Sequence, residues 1–161
     1  MVRIKNIKLI VYDFDGVMTN NKVYLNQNGN EMVQVNRADG LAVSEIKKLG
    51  IDQIIISTEQ NPVVSTRANK LDLLCIHGVN NKAQALKDYC EDHQISLRDV
   101  AYVGNDINDF DAMEIVGITF CPKDAHKSIK AISNHILNTN GGNGVVRELY
   151  DFITMEDLEN E

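Results

Sequence analysis

Two short acidic stretches carry the side chains best suited to chemistry. The first is "VYDFDGVMT", residues 11–19, where Asp13 and Asp15 sit two apart and Gly16 follows. Residues two apart on extended chain lean to one side, and glycine lets the backbone turn away tightly. One aspartate of such a pair can attack phosphorus and become an aspartyl-phosphate. The other can protonate the leaving oxygen and later deprotonate water. Asp-Gly is also ordinary turn chemistry. The second stretch is "VGNDINDFD", residues 103–111, with Asn105, Asp106, Asp109 and Asp111 close together. Such a cluster suits either a hard cation or the caps of a helix start. The first stretch fails as an EF-hand loop: counted from Asp13, Val17 and Met18 stand where the loop needs Asp or Asn and then Gly.

Periodicity supplies the elements that would hold these residues. Apolar runs at 7–12, 52–57, 73–76 and 100–103 read as strands, with weaker ones at 117–120 and 135–137. Ala42, Ile46 and Leu49 keep helical spacing, and Gly50 sits where a C-cap glycine belongs. Asn61-Pro62 reads as an N-cap followed by proline at the first helical position, opening a helix to about Leu71. Further helices are expected over 81–93, 108–115, 125–132 and 144–153. The alternation implies an α/β fold, a Rossmann-like three-layer α/β/α sandwich around a mostly parallel sheet. Both acidic stretches then end strands, where open parallel sheets bind ligands.

One segment breaks the alternation. "KVYLNQNGNEMVQV" has two strand-like arms around Asn28-Gly29, a strong hairpin signal because both residues tolerate positive φ. A lone two-stranded ribbon is marginal in water, so its Val23, Leu25, Met32, Val33 and Val35 need a partner, either the same domain or another copy. Residues 1–154 read as one domain with the hairpin at about 22–36, and 155–161 as an acidic, frayed tail.

Composition narrows the classes. The chain has 161 residues, 43% of them hydrophobic and 24% charged, with net charge -7. That argues against a broad nucleic-acid surface, and no apolar run approaches the roughly 20 residues of a membrane span. No apolar signal segment follows Met1. Cys75, Cys90 and Cys121 lack CxxC spacing, so free thiols and a cytoplasmic location are expected. His77, His93, His126 and His135 show no metal-ligand spacing.

The residues 13–19 pattern resembles the first motif, Asp-x-Asp-Gly-x-x-Thr, of the haloacid-dehalogenase-like phosphotransferases. Later motifs follow in order: Ser57 ends the second principal strand, Lys82 opens the helix in "GVNNKAQAL", and "VGNDIND" ends the fourth. Taken singly, a serine there is usually a cap and a lysine usually solvated; four in order point to the family. The resemblance implies Asp13 as nucleophile, Asp15 as acid and base, and Ser57 and Lys82 as holders of the phosphoryl group. It implies Mg2+ on Asp13, the Asp15 carbonyl and the Asn105 amide oxygen, with Asp106 and Asp109 in support.

The short span from Asp15 to Ser57 leaves no room for a large cap domain. "DGVMTN", "RADGLAV", "AYVGNDINDFDAM", "KDAH" and "NTNGGNGVVREL" resemble the capless branch. That branch holds the 3-deoxy-D-manno-octulosonate 8-phosphate phosphatases, related nonulosonate phosphatases, and C-terminal domains of acylneuraminate cytidylyltransferases. It implies a homotetramer whose hairpins meet, and sugar-acid phosphate substrates reached by Arg37, Asp39, Thr58, Glu59 and Arg147. Two departures matter. Asn105 replaces a common Asp, which implies a weaker cation site. Thr58-Glu59 replaces a common Gly-Arg, which favours a nonulosonate over an octulosonate, or a low-activity tetramerisation domain partnering a cytidylyltransferase.

Overall fold

A computed structural model describes residues 6–159. Six strands form one sheet: β1 (Leu9–Tyr12), β4 (Asp52–Ile56), β5 (Leu74–Ile76), β6 (Val100–Val103), β7 (Ile118–Cys121) and β8 (His135–Ile136). Their order is β5-β4-β1-β6-β7-β8 and every pairing is parallel. Each stands within two residues of its expected bounds; the central β1, β4, β6 and β7, almost wholly buried, read as near-continuous apolar runs. Alternate residues feed two cores. Ile10, Tyr12, Ala101 and Val103 pack against α1 (Arg37–Lys48), α2 (Val63–Leu71) and α6 (Val145–Glu159). Leu9, Val11, Val100 and Tyr102 face α3 (Lys82–Asp92), α4 (Phe110–Glu114) and α5 (Lys127–Ile132). The result is the expected three-layer sandwich, and between β1 and β4 the chain adds only a hairpin and α1. The chain reverses its direction of winding between β1 and β6, which opens a crevice at their carboxyl ends.

Several boundaries moved for local reasons. Gly50 closes α1 as expected, with φ 78° and its N–H donating to the Lys47 carbonyl at 3.0 Å. Pro62 precedes α2 instead of opening it, and the Asn61 side-chain oxygen accepts from Val63 N at 3.1 Å. Residues Ile107–Asp109 form a 3-10 turn held by a reciprocal Asp106–Asp109 capping box, so α4 starts only at Phe110. The last helix, expected to stop near 153, continues to Glu159, so the acidic tail is helical that far; residues 160 and 161 lie outside the described residues.

The hairpin pairs β2 (Thr19–Leu25) with β3 (Glu31–Val35). Its turn differs from expectation. Only Gly29 has positive φ, at 80°, and Asn26 N donates to the Asn30 carbonyl at 3.1 Å. The loop is therefore three residues closed by a left-handed glycine, not a two-residue turn. Asn26 explains the choice, since its side-chain oxygen accepts from Asn28 N and Asn30 N. Val33 and Val35 pack against the core of their own chain. Val23, Tyr24, Leu25 and Met32 stay 51–69% exposed, with Tyr24 opposite Met32.

Candidate active site

The ends of β1, β4 and β6 and the start of α3 bring the four motifs together. Asp13 directly follows β1 and is buried. Its Oδ1 accepts from Phe14 N at 2.7 Å and pairs with Lys82 Nζ at 2.7 Å. Lys82 is the first residue of α3, whose N-cap Asn81 accepts from Gln84 N. Its ammonium also meets Asp109 Oδ1 at 2.8 Å. Asp109 is fully buried and accepts from Tyr102 Oη at 2.9 Å and Asn105 N at 2.9 Å. A chain of contacts thus runs Tyr102–Asp109–Lys82–Asp13, with one ammonium between two carboxylates. Such an arrangement is tolerable inside a protein only because each charge has partners. Tyr102 was not foreseen: inside an apolar strand it reads as core, and only the fold reveals its hydroxyl's target.

Asp15 lies at the cleft beside these groups. Its Oδ1 accepts from the Thr19 hydroxyl at 3.3 Å, and Gly16 N donates to the same Thr19 oxygen at 3.2 Å. Gly16 has φ 85°, and a Cβ there would collide with the Asn105 side chain; glycine is required on both counts. Ser57 follows β4, is buried, and accepts from Glu59 N at 3.1 Å through Oγ.

Asn105 completes the centre. One terminal amide atom lies 2.9 Å from Asp13 Oδ2 and 2.8 Å from the Asp15 carbonyl oxygen. With the amide oxygen in that position, a carboxylate, an amide and a main-chain carbonyl converge. Three hard oxygens of this kind suit Mg2+, which accepts neutral ligands and keeps several waters. Among the described residues no three His, Cys, Asp or Glu side chains converge for a metal, so the oxygens come from this mixed set.

The electrostatics separate the two leading aspartates. Burial and then the Asp109 charge push the Asp13 carboxyl up to about 7, while Lys82 pulls it down. Burial alone would lower Lys82, but the Asp13 and Asp109 charges outweigh it, so its pKa is raised and it stays a cation. Burial and then the Glu59 charge raise Asp15, opposed by the Thr19 hydrogen bond. Asp15 therefore holds a proton longer than an ordinary aspartate.

The cleft over these groups has a volume of about 260 Å³. Besides Asp13, Asp15, Ser57 and Asn105, it is lined by Asn21, Thr58, Asp106, Ile107 and Asn108. Asn21, Ile107 and Asn108 carried no recognisable signal in the sequence. Thr58 accepts from Asn108 at 3.3 Å. Glu59 is tied to the approach to α2, accepting from Asn61 N at 2.7 Å, yet its charge is felt at Asp15.

Three expected substrate-binding residues are not brought to this cleft. Arg37 lines a second groove, of about 660 Å³, between α1 and α2. Arg147 is half-buried along α6, 3.9 Å from Asp151. Asp39 is buried under the start of α6, where Oδ1 accepts from Val146 N at 3.1 Å and Arg147 N at 3.2 Å. It caps a helix instead of facing solvent. Burial pushes the Asp39 carboxyl up to about 6, against the two amide hydrogen bonds and the Arg67 charge. A raised carboxylate takes up a proton more readily folded than unfolded, so its ionised form costs stability above pH 6, and that cost fades as pH falls to about 4. Asp39→Asn should thus be about 1–2 kcal/mol more stable than the native chain at pH 7, with the gain shrinking towards pH 4. Denaturant unfolding at several pH values checks this; a gain that is constant with pH contradicts it.

Comparison with known proteins bears on all of this. A model of the haloacid dehalogenase-like hydrolases matches residues 18–149. The 3-deoxy-D-manno-octulosonate 8-phosphate phosphatase of Salmonella typhi is 31% identical over 156 residues, 96% of this chain and 83% of that protein. The same phosphatase from Moraxella catarrhalis, solved with magnesium, phosphate and 3-deoxy-D-manno-octulosonate, superposes with TM-score 0.91. It is 30% identical and covers 95% of this chain and 88% of its own. A cobalt-bound form from Haemophilus influenzae gives TM-score 0.90 at 28% identity, over 95% of this chain and 90% of that one.

Proposed function

The chain belongs to the haloacid dehalogenase-like hydrolases, and from that premise we propose that this phosphomonoesterase hydrolyses a phosphorylated 2-keto-3-deoxy sugar acid with Asp13 as nucleophile. The observation that carries this reading is the Asp13 carboxylate, gripped by Lys82 on one oxygen while its other oxygen meets Asn105 and the Asp15 carbonyl. Asp13 would attack phosphorus and form an aspartyl-phosphate. Asp15, whose carboxyl burial and the Glu59 charge shift upwards, would give a proton to the departing sugar oxygen and then take one from the attacking water. Ser57 and Lys82 would hold the phosphoryl oxygens. Asp13, the Asp15 carbonyl and Asn105 would hold Mg2+, with Asp106 and Asp109 supporting them. Bound there, Mg2+ screens the repulsion between carboxylate and phosphate.

The substrate of the relatives, 3-deoxy-D-manno-octulosonate 8-phosphate, stands first among candidates. The acidic surroundings of Asp15, with Glu59 and then Glu31 raising its pKa, keep a nine-carbon nonulosonate 9-phosphate beside it. They favour a pose in which sugar hydroxyls, not the carboxylate, face this mouth. Phosphate release from eight- and nine-carbon sugar-acid phosphates, with and without Mg2+, separates the candidates. No release above background from any of them contradicts the reading. The free Cys75, Cys90 and Cys121 support a cytoplasmic enzyme, and no described helix is long and apolar enough to cross a membrane.

The exposed hairpin supports a homotetramer in which the Tyr24–Met32 face meets its copies. Tyr24→Glu with Met32→Glu should reduce the mass in solution to that of the monomer while the far-ultraviolet spectrum is kept. An unchanged oligomeric mass contradicts the hairpin's role. The same face supports the second reading, an assembly domain partnering a sugar-acid cytidylyltransferase. Against a purely structural role stands the buried Lys82 ion-pair chain, which a simple apolar core would not need.

A further inference from the structure

We propose that the Asn105 amide takes the cation's place when no metal is bound, and turns over when the cation arrives. This rests on the cation site proposed above. The amide atom between Asp13 Oδ2 and the Asp15 carbonyl has only acceptors before it, at 2.9 and 2.8 Å. Nitrogen in that position donates to both. Oxygen in that position is a third buried acceptor, satisfied only if a cation joins them. Rotation about the terminal torsion exchanges the two atoms with almost no displacement of the side chain.

Everything else about Asn105 is fixed. The residue is 7% exposed. Its N–H donates to Asp109 Oδ2 at 2.9 Å, and its carbonyl accepts from His126 N at 2.8 Å. Its side chain lies against Gly16, where no Cβ would fit. The sense of the amide is the one freedom left. Asn105 is thus a positioning residue: it holds Asp13 Oδ2 while Lys82 and Phe14 N hold Oδ1. An aspartate at 105 has no proton donor to offer and would set a second carboxylate against Asp13. The native amide therefore keeps the metal-free site assembled, and it weakens cation binding because two hydrogen bonds must be surrendered.

The test uses the full chain stripped of metal with a chelator. In 15N-labelled protein the Asn105 side-chain amide signal, identified by its loss in Asn105→Asp, should show protons protected from exchange with water. Saturation with Mg2+ should shift that signal and speed its exchange by about tenfold or more. Asn105→Asp should unfold at a lower temperature than the native chain without metal, gain more from Mg2+, and bind it about tenfold more tightly. Amide protons that exchange freely in the metal-free chain overturn the proposal. So do protected protons that fail to respond while Mg2+ raises the unfolding temperature. If Mg2+ affects neither protein, the cation site of the proposed function falls and the turnover falls with it. Exchange in the metal-free chain then still judges the two hydrogen bonds alone.

Discussion

Asp13→Asn is expected to slow phosphate release at least about a thousandfold while leaving the fold intact, because the nucleophile itself is removed. The asparagine oxygen can still accept from Phe14 N and Lys82 Nζ, both 2.7 Å from Asp13 Oδ1. Its new amide nitrogen would face the Asn105 atom at 2.9 Å, which can present oxygen there. The substitution therefore deletes reactivity and leaves one group, the Asp15 carbonyl, without its Asn105 donor. Stability should change little: the lost Lys82 pairing is offset by relief of a carboxyl whose pKa burial had pushed up to about 7. Steady-state phosphate release and thermal unfolding together check this. A variant that unfolds at the native temperature yet keeps native turnover places the nucleophile elsewhere.

Lys82→Met is expected to damage fold and activity alike. The Lys82 side chain is 1% exposed, Asp13 6% and Asp109 0%. Methionine fits the volume but leaves two buried carboxylates without a cation between them. Removing one partner from a buried ionic group typically costs about 3–5 kcal/mol. Asp109 would keep its Tyr102 and Asn105 donors, so Asp13 suffers more. Adding Asp109→Asn should recover part of the lost stability by removing one of the stranded charges. Activity should stay lost, since the phosphoryl oxygens have no ammonium. Urea unfolding of the single and double variants measures this; a double variant less stable than the single one contradicts the ion-pair account.

How much of this was legible in the sequence depended on how local each signal was. The six strands and their parallel arrangement follow from apolar runs alternating with helical segments, whereas the strand order came from the fold. Asp13, Asp15, Ser57, Lys82 and Asn105 could be singled out as candidates because each sits beside a strand end or helix start. Holding Lys82 was one of several supporting roles open to Asp106 and Asp109, and the fold assigns it to Asp109, 27 positions away. The partner of Asp39 is the start of α6, 107 positions away, which sequence spacing does not show. Arg37 and Arg147 do not line the active-site cleft, and helix surface and cleft surface look alike in one dimension. The hairpin turn was misread because the Asn26 side chain, not the Asn28-Gly29 pair alone, selects the loop.

The most direct measurement is a rapid acid quench of the native chain mixed with Mg2+ and 3-deoxy-D-manno-octulosonate 8-phosphate or its nine-carbon counterpart. Borohydride reduction and peptide mapping should follow. An acyl phosphate on Asp13 is reduced to homoserine, so the expected result is homoserine at position 13 only, with Asp15 unchanged. Turnover without any modified carboxylate, or with the modification at Asp15, would contradict the assignment of Asp13 as nucleophile.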